Sequence, residues 1–344
     1  MKVIVTGAAG FIGSFTAERL AKRGDTVVGV DNLNDYYDVD LKRARLQRLG
    51  TLPGFSFEKV DIADRNAWQS TVDTHRPDRI VHLAAQAGVR HSIEHPHAYV
   101  DANITGFLNI LESVRDSAVD HLVFASTSAV YGANTHMPFS TADNVDHPLS
   151  MYAATKKANE LMAHAYSHLY GVPATGLRFF TVYGPWGRPD MALFVFTRKI
   201  LAGEPIEVFN HGNHRRDFTY IDDIVEGIVR ILDRPPSNDP AWRSDRPDPS
   251  SSAAPYRLYN IGNGEPVQLL RFIEVIETQL GRRAVKRLLP MQAGDVKDTF
   301  ADVGPLAADL DYRPATPIEE GIARFIHWYR DYYGVADAPA RGAP

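Results

Sequence analysis

Short apolar runs alternate with longer amphipathic stretches through the first half of the chain. Short apolar runs predict buried strands, and stretches whose apolar residues recur every three to four positions predict helices. The predicted strands are Lys2–Thr6, Thr26–Val30, Phe55–Val60, Arg79–Leu83, His121–Ser126 and Ala174–Arg178. The predicted helices include Phe11–Lys22, Tyr99–Asp116 and Ser150–Tyr170. This alternation predicts a doubly wound α/β fold, with a parallel sheet covered by crossover helices on both faces.

The pattern loosens after Thr181, where strand-like and helix-like segments lie farther apart. The segments that remain are a strand at Ile206–Phe209 and helices at Ile221–Leu232 and Gln268–Leu280. The stretch Pro235–Pro255 is rich in proline, serine and aspartate, and it predicts an exposed loop or a disordered insertion.

This change of pattern divides the chain into three parts. We expect residues 1–180 to form the first domain and residues 181–335 to form a smaller C-terminal lobe, some of whose segments return to the first domain. Residues 336–344 are small and polar, apart from their prolines, and predict a flexible tail.

Composition narrows the classes of function. The chain has 344 residues, 44% hydrophobic and 23% charged, which suits a globular protein with a large core. A net charge of −5 argues against a nucleic-acid partner or an anionic membrane surface. No run approaches the ~18 apolar residues of a membrane span, and the apolar start is too short for a signal peptide.

The chain has no cysteine, which excludes disulfides, thiolate metal ligands and cysteine nucleophiles and fits a reducing cytoplasm. Its 13 histidines show no metal-ligand spacing, so we predict no metal site. We expect His211 and His214, in a turn rich in glycine and asparagine, to be exposed to solvent.

A glycine-rich loop joins the first predicted strand to the first predicted helix. Gly7 permits a tight turn, Gly10 lets the backbone approach a pyrophosphate, and Gly13 lets the helix pack against the sheet. Phe11 and Ile12 lie within the loop, where the helix N-terminus offers unpaired N–H groups to an anion. The alternative is a glycine turn that binds nothing, but a strand before it and a helix after it favour a dinucleotide site of the Rossmann type.

An acidic residue follows the second predicted strand. Asp31 can accept hydrogen bonds from both ribose hydroxyls of adenosine and would repel the 2′-phosphate of NADP, so it favours NAD. The alternative is a turn that Asp31 forms with Asn32. Asp61 and Ile62 follow the third strand and are candidates for the adenine edge, although an aspartate in a loop often only caps a helix.

Tyr152 and Lys156 lie four residues apart in a predicted helix and therefore share one face. A free phenol has a pKa near ~10, and both a nearby ammonium and oxidised nicotinamide favour its phenolate form. Such a tyrosine can take a proton from a sugar hydroxyl. The alternative, a solvated helix face, is disfavoured because hydroxyls at 126–128 end the fifth strand, at the edge where α/β sheets bind ligands.

These features together resemble the extended short-chain dehydrogenase/reductase superfamily and, within it, the NAD-dependent epimerase/dehydratase family of nucleotide-sugar enzymes. The residues that carry the resemblance are the glycine loop, Asp31, the segment 126–132 and the Tyr152/Lys156 pair. Three segments, 31–42, 84–90 and 184–192, resemble the glucuronate 4-epimerase branch. The resemblance implies that the first domain binds NAD and carries the catalytic residues, while the lobe binds a UDP-sugar.

The resemblance also implies roles for individual residues. It makes Thr127, Tyr152 and Lys156 a catalytic triad, with Ser128 beside them near the sugar. The residues that it assigns to the NAD site, besides the glycine loop and Asp31, are Leu83, Ala84, Ala85 and Asn103. The residues that it assigns to the substrate are Arg90 and Arg216 at the diphosphate, Asp295 at the uridine ribose, and Thr181 and Arg188 at the sugar. Each arginine has a plainer alternative, a surface charge or a bridging ion pair.

The resulting hypothesis is NAD-dependent 4-epimerisation of UDP-glucuronate to UDP-galacturonate, with Tyr152 as acid and base. Related 4,6-dehydratases carry Asp-Glu where this chain has Ser128-Ala129, and related decarboxylases carry glutamate at the position of Ala129. The alternatives left open are a UDP-glucose/UDP-galactose 4-epimerase, a UDP-glucuronate decarboxylase and a catalytically inactive NAD-sensing module. The resemblance further implies a homodimer built on the helices Tyr99–Asp116 and Ser150–Tyr170.

Overall fold

The computed structural model describes residues 1–292 and 294–335. Its strands are β1 (Lys2–Thr6), β2 (Thr26–Asp31), β3 (Phe55–Lys59), β4 (Arg79–His82), β5 (His121–Thr127), β6 (Ala174–Phe179), β7 (Thr181–Tyr183), β8 (Ile206–Val208), β9 (Arg215–Tyr220), β10 (Tyr256–Ile261), β11 (Pro266–Gln268) and β12 (Lys286–Leu288). The predicted tail, residues 336–344, lies outside the described residues.

Helices connect these strands on both sides of the sheet. The α-helices are α1 (Phe11–Arg23), α2 (Val39–Leu49), α3 (Arg65–His75), α4 (His91–Glu94), α5 (Pro96–Tyr99), α6 (Gly106–Asp116), α7 (Met151–Tyr170), α8 (Ala192–Ala202), α9 (Ile221–Leu232), α10 (Leu269–Leu280), α11 (Gly304–Leu310) and α12 (Ile318–Tyr333). A π-helical segment spans Val100–Thr105, and 3₁₀ turns span Ser128–Tyr131 and Phe209–Gly212.

The central sheet has seven parallel strands in the order β3-β2-β1-β4-β5-β6-β10. This order confirms the predicted doubly wound fold. From β1 to β3 each new strand is added on one side of β1, and from β4 onward the strands are added on its other side. In such sheets a ligand crevice opens between β1 and β4, beyond the carboxyl ends of the strands.

Both faces of the sheet are buried, as the alternation of residues along β1 shows. Val3 and Val5 pack in the same apolar cluster as Leu20 of α1 and Ile228 of α9. Ile4, which points to the other face, packs in a second cluster that includes Phe107 of α6. Side chains alternate between faces along a strand, so a strand covered on both sides reads as a continuous apolar run. That is why the sequence revealed β1, β2, β4, β5 and β6, whereas the edge strand β3 alternates apolar and polar residues and is only partly buried.

The seventh strand of the sheet, β10, was not predicted. It follows the irregular stretch 235–255 and returns from the second half of the chain to pair with β6. Its sequence includes the polar residue Asn260, which interrupts the apolar run. Asn260 is buried, and the cost of burying its amide is offset by two hydrogen bonds. Its side chain accepts one from the Tyr131 hydroxyl at 2.7 Å and donates one to the Phe139 carbonyl at 2.7 Å.

Of the rest of the second half, α9 packs on a face of the central sheet, and two small sheets lie at its carboxyl edge. A three-stranded sheet in the order β11-β9-β7 and a two-stranded sheet of β12 and β8 form this region. Phe218 of β9 stacks on Phe272 of α10 with ring centroids 3.9 Å apart, which fixes α10 against the small sheet. Loops from both halves therefore meet above the crevice.

The segment Tyr99–Asp116, predicted as one regular helix, is not a continuous α-helix. The helical path begins at Pro96 and passes through the π-helical segment Val100–Thr105 before α6. Within that segment the Asn103 carbonyl accepts a hydrogen bond from the Asn159 side chain of α7 at 2.6 Å. A partner on another helix thus competes for the backbone group, and π-helical insertions of this kind often lie at functional sites.

The stretch Pro235–Pro255 is a loop, as one of the two predicted alternatives stated. It is not wholly exposed, because Ser250 and Ser252 are buried. The indole nitrogen of Trp242 donates to the Asp248 carbonyl at 3.2 Å, and the Ser252 hydroxyl lies 2.9 Å from Nε2 of His164 on α7. These contacts give the loop a defined course along the outside of α7.

Candidate active site

A cleft of about 930 Å³ opens at the carboxyl edge of the central sheet, between that sheet and the second half of the chain. It receives the loops that follow β1, β2, β4 and β5, as the strand order requires. The predicted residues that line it are Gly7, Gly10, Phe11, Ile12, Gly13, Asp31, Asn32, Asp61, Ile62, Leu83, Ala84, Ala85, Arg90, Thr127, Ser128, Tyr152, Lys156, Thr181, Arg188, Arg216 and Asp295.

The glycine loop forms a backbone concavity, here called the glycine cradle, in which Gly7 and Gly13 have no room for a side chain. A Cβ built at Gly13 would lie 2.0 Å from the Gly7 carbonyl oxygen, and one built at Gly7 would lie 2.7 Å from the Ala84 nitrogen. Gly7 also has a φ of 72°, in the left-handed region that favours glycine. The N-terminus of α1 thus faces the cleft at close range, and this arrangement fits the pyrophosphate of a dinucleotide.

Asp31 lies at the end of β2, where its carboxylate accepts hydrogen bonds from the Ala9 N–H at 3.2 Å and the Leu33 N–H at 2.8 Å. Burial raises the pKa of Asp31, and the two backbone donors oppose that effect. Asn32 donates to Asp61 at 2.9 Å, so these two predicted residues tie the loop after β2 to the loop after β3. The set fits an adenosine ribose beside the glycine cradle.

Arg45 of α2 is a structural residue that the sequence did not reveal. Its side chain is fully buried, and it donates to the Ala9 carbonyl at 3.0 Å and to the Trp186 carbonyl at 2.6 Å. It therefore ties the glycine loop to the turn after β7. Lys42, one turn earlier on α2, lines the cleft and donates to the Asn34 carbonyl at 2.6 Å.

The predicted catalytic residues come together at the end of β5. Thr127 closes that strand, and Ser128 begins the 3₁₀ turn that follows it. The Ser150 hydroxyl caps α7 by accepting a hydrogen bond from the Ala153 N–H at 3.1 Å. This cap starts the helix so that Tyr152 lies in its first turn and Lys156 in the next, both facing the cleft.

Burial, more than the lysine, governs the titration of this pair. Burial raises the pKa of Tyr152, while a hydrogen bond with Thr127 and the positive charge of Arg188 lower it. Burial lowers the pKa of Lys156 to about 7, and Glu160 opposes that effect. In the protein by itself desolvation penalises both charged forms, and the prediction that the ammonium and oxidised nicotinamide together favour the phenolate stays a prediction.

A buried ion pair supports the site from below and was not predicted. Glu160, one turn beyond Lys156 on α7, accepts hydrogen bonds from Arg178 at 2.8 and 2.9 Å and from the Ser126 hydroxyl at 2.6 Å. Burial raises the pKa of Glu160, but Arg178, the Ser126 hydroxyl and Lys157 together lower it below its usual value. The ion pair fixes β6 against α7, and the Ser126 hydrogen bond fixes the C-terminal end of β5, which carries Thr127, against the helix that carries Tyr152.

Asn103, predicted to line the NAD site, is not among the residues that line the cleft. Its side-chain oxygen accepts from the Gln86 N–H at 2.8 Å, and its nitrogen donates to the Gln86 carbonyl at 3.0 Å and to Thr155 Oγ1 at 3.1 Å. The side-chain amide of Asn103 thus has hydrogen-bond partners for both its oxygen and its nitrogen, and it fixes the backbone of Gln86, which lines the cleft.

The predicted diphosphate and ribose residues meet at the other end of the cleft. Arg90 pairs with Asp295 at 3.5 Å, and its side chain is 61% exposed, so its guanidinium is accessible to a ligand. Arg216 of β9 donates to the Val296 carbonyl at 2.7 Å and to the Lys297 carbonyl at 2.8 Å. These contacts hold the loop 294–297 over the cleft.

Arg188 lies on the loop after β7 and pairs with Asp190 through two hydrogen bonds, at 3.0 and 2.5 Å. Tyr36, from the loop after β2, donates to the same carboxylate at 3.4 Å. Neither Asp190 nor Tyr36 was predicted, although both line the cleft. The sequence signal for both residues was their position in the segments 31–42 and 184–192, which carry the family resemblance without assigning them a role.

The expectation that His214 is exposed is wrong. Its side chain is 5% exposed, it lines the cleft, and its Nδ1 lies 3.0 Å from the Lys297 carbonyl oxygen. The contact with the Lys297 carbonyl holds the ring against the loop that follows residue 294, whereas His211 stays exposed, as predicted. Within the described ranges, 1–292 and 294–335, no group of three or more metal-ligating side chains occurs, and no helix could cross a membrane.

Comparison with known proteins gives the same assignment as the geometry. The model of the NAD dependent epimerase/dehydratase family matches residues 3–262. The chain belongs to this family. Its membership confirms the predicted family and the predicted NAD cofactor, for which the glycine cradle and Asp31 provide a fitting site.

Relatives within the epimerase/dehydratase family extend over nearly the whole chain. Protein CapI of Staphylococcus aureus is 55% identical and covers 97% of this chain and 99% of its own length. A probable UDP-glucuronate 4-epimerase of Rhizobium meliloti is 50% identical, over 97% of this chain and 98% of its own. The solved structure of UDP-glucuronic acid 4-epimerase from Bacillus cereus, in complex with UDP-glucuronic acid and NAD, has a TM-score of 0.85 at 32% identity, over 97% of this chain and 100% of that one. These relatives confirm the prediction of an isomerase of the NAD-dependent UDP-sugar 4-epimerase class.

Substituting Gly13 with alanine tests the cradle. The added Cβ would meet the Gly7 carbonyl oxygen at 2.0 Å and push α1 away from the loop. We expect NAD affinity, measured by calorimetry, to fall about a hundredfold, equivalent to about 2.8 kcal/mol. Gly50→Ala is the matched control, since its Cβ would find only ordinary contacts, the nearest at 3.4 Å. Equal NAD affinity in Gly13→Ala and wild type would contradict the assignment.

Substituting Lys156 with methionine tests its burial. The folded-state pKa of about 7 lies below the ordinary 10.5, so the unfolded chain binds this proton more readily. Burial of Lys156 therefore lowers stability most below pH 7, and wild-type stability gains from this residue as pH rises toward 10.5. We expect that gain, measured by urea unfolding at pH 7, 8 and 9, to shrink in Lys156→Met.

The control for this experiment is Lys157→Met, because Lys157 is the next residue of α7 and its side chain is 17% exposed. We expect Lys157→Met to keep the wild-type dependence of the unfolding free energy on pH. A Lys156→Met variant with the same dependence as wild type would show that Lys156 does not titrate in this range.

Proposed function

We propose that this protein converts UDP-glucuronate to UDP-galacturonate by NAD-dependent 4-epimerisation. The observation that carries the proposal is that Tyr152, Thr127 and the cation Arg188 line one cleft with the glycine cradle. The first two residues suit chemistry at a sugar hydroxyl, and Arg188 suits a carboxylate. The relatives described as UDP-glucuronate 4-epimerases support the same substrate.

The cofactor site is formed by the first half of the chain. Gly7, Gly10 and Gly13 hold the pyrophosphate, Asp31 holds the adenosine ribose, and Leu83 to Ala85 line the path toward Tyr152. When bound, NAD supplies the acceptor and the donor of the hydride at C4, and in its oxidised form a positive charge. We propose residues 1–180 as the NAD domain and residues 181–335 as the main UDP-sugar lobe.

Tyr152 carries the proton chemistry. Its phenolate removes the proton of the C4 hydroxyl, and its phenol returns a proton to the 4-keto oxygen after the sugar has turned over. Thr127 orients the reacting oxygen through the hydrogen bond that it shares with Tyr152. Lys156 and Thr127 stabilise the phenolate against the unfavourable effect of burial. Arg90, Arg216 and Asp295 hold the UDP group while the sugar turns.

The 4-keto form of glucuronate is a β-keto acid, which loses CO₂ readily when its carboxylate is perpendicular to the ketone plane. A 4-epimerase must therefore hold that carboxylate in another orientation. Ser128, Thr181 and Arg188 line the sugar end of the cleft and are the donors that we assign to this task. Ala129 stands beside them and has no acid group for a dehydratase reaction. A cytoplasmic location stays a prediction, based on the cysteine-free composition.

Product analysis of Tyr152→Phe tests this mechanism. With UDP-glucuronate as substrate and NMR as readout, we expect wild type to form UDP-galacturonate and the variant to lose at least about 10²-fold in rate. NAD affinity should persist in the variant. Tyr170→Phe, at the exposed end of α7, is the control. Unchanged turnover in Tyr152→Phe would remove the phenol from the mechanism.

The same assay separates the alternatives. Formation of UDP-galactose from UDP-glucose without UDP-galacturonate from UDP-glucuronate would reassign the substrate. Release of CO₂ as the main reaction would indicate a decarboxylase. Absence of turnover with NAD bound would indicate a sensing module.

We also propose that two copies of the chain associate through α6 and α7. These helices pack side by side and leave large apolar side chains exposed on the outside of the fold. Leu161 and Leu169 of α7 are 59% and 65% exposed, and Leu108 of α6 is 41% exposed. An apolar surface on two adjacent helices suits a symmetric contact in which the same surface faces itself.

Leu161→Asp tests this contact. A buried aspartate at the centre of an apolar interface is costly, so we expect the variant to elute as a monomer in size-exclusion chromatography with light scattering, while wild type elutes as a dimer. Leu288→Asp is the control, because Leu288 is 51% exposed on β12, away from both helices. A dimeric Leu161→Asp variant would place the contact elsewhere.

A further inference from the structure

Two side chains to which no role has been assigned, Asp190 and Tyr36, lie around Arg188 at the proposed sugar end of the cleft. Asp190 accepts from Nε of Arg188 at 3.0 Å and from Nη2 at 2.5 Å, which is a bidentate pair. These two bonds use one edge of the guanidinium. Nη1 takes no part in this pair, and Arg188 lines the cleft, so an acceptor on a ligand can approach the rest of the guanidinium.

Tyr36 approaches this pair from the opposite side of the cleft. Its hydroxyl donates to Asp190 at 3.4 Å, and its ring centroid lies 5.9 Å from the Arg188 guanidinium. The ring is also in contact with His91, at 4.6 Å between centroids. A Cβ at Gly88 would lie 2.6 Å from the Tyr36 hydroxyl, so a glycine at that position makes room for the phenol.

The three side chains thus join two separate loops above Tyr152. Tyr36 belongs to the loop between β2 and α2, while Arg188 and Asp190 belong to the loop between β7 and α8. The charge of Arg188 lowers the pKa of Tyr152, which indicates that the guanidinium acts at the reacting end of the cleft.

We infer that Asp190, supported by Tyr36, is a positioning residue that fixes Arg188 for the C6 carboxylate of the sugar and so limits loss of CO₂ from the 4-keto sugar. The inference rests on the proposed function. An arginine side chain has large rotamer entropy, and a bidentate partner removes that freedom before the substrate arrives. Asp190 holds one edge of the guanidinium, and the substrate carboxylate takes the donors that remain.

The chemistry gives this role a specific readout. In the 4-keto sugar, decarboxylation breaks the C5–C6 bond, CO₂ leaves, the electron pair forms an enolate with the C4 ketone, and a solvent proton adds at C5. The reaction needs the carboxylate perpendicular to the ketone plane. A guanidinium that is free to rotate restrains this angle less well, so more CO₂ is released for each epimer formed.

The experiment compares Asp190→Asn, Asp190→Glu and Tyr36→Phe with wild type, using UDP-glucuronate labelled in the carboxyl group. Released label and UDP-galacturonate are measured together. We expect Asp190→Asn to raise the ratio of CO₂ to epimer about tenfold, because small displacements of a positioning group have large effects on reaction geometry. Asp190→Glu should restore most of the wild-type ratio, and Tyr36→Phe should change it in the same direction by less.

The chain offers a matched control in the loop 235–255. Arg243 and Asp245 form the same bidentate pair at the same spacing, at 2.9 and 2.7 Å, on the exposed surface. Asp245→Asn should leave the ratio unchanged. A lower rate in Asp190→Asn with an unchanged ratio would overturn the inference, since it would indicate a merely structural role. A lower KM with retained kcat in Asp190→Asn would also overturn the inference, since Asp190 would then compete with the substrate carboxylate for Arg188.

A variant that fails to fold and a wild type without activity each have a separate meaning. If Asp190→Asn fails to fold, as judged by thermal unfolding and NAD affinity, Tyr36→Phe carries the test, and an unchanged ratio there overturns the inference. Wild-type turnover of UDP-glucuronate is read first. An inactive wild type contradicts the proposed function, whereas an active wild type with unchanged ratios in the variants contradicts only the role of Asp190.

Discussion

The site depends on the burial of a phenol and an ammonium on one helical turn. Removal of Tyr152 and Lys156 from water disfavours the charged form of each, so the charge of either group depends on the groups that surround it. Those groups come from fixed positions: Thr127 at the end of β5, Glu160 one turn along α7, and Arg188 across the cleft. The protonation of this pair therefore depends on where its neighbours lie more than on any single side chain.

Two kinds of anchoring surround this pair. On one side, the glycine cradle is formed by backbone geometry and is held by the buried hydrogen bonds of Arg45 to the Ala9 and Trp186 carbonyls. On the other side, Tyr36, Asp190 and Arg188 bridge two loops through side chains. In the proposed mechanism the sugar turns on the side of Arg188 while its carrier stays bound.

Local patterns in the sequence predicted the parts of the molecule that depend on local physics. Strands buried on both faces give continuous apolar runs, the edge strand β3 gives an alternating pattern, and the glycine loop has a fixed spacing, so β1 to β6 and the NAD cradle followed from the sequence. The strand β10, the π-helical segment around Asn103 and the burial of His214 depend on partners distant in the chain. The ion pairs Glu160–Arg178 and Arg90–Asp295 likewise join residues whose proximity only the fold creates, and their spacing carried no signal.

In the proposed reaction the hydrogen at C4 leaves and returns as hydride within one closed site, while Tyr152 handles the hydroxyl proton. UDP-glucuronate deuterated at C4, with the product analysed by NMR in ordinary water, follows that hydrogen. We expect UDP-galacturonate to keep its deuterium at C4 and turnover to show a primary isotope effect. Loss of deuterium to solvent would rule out hydride transfer, because the hydrogen would then have left C4 as a proton.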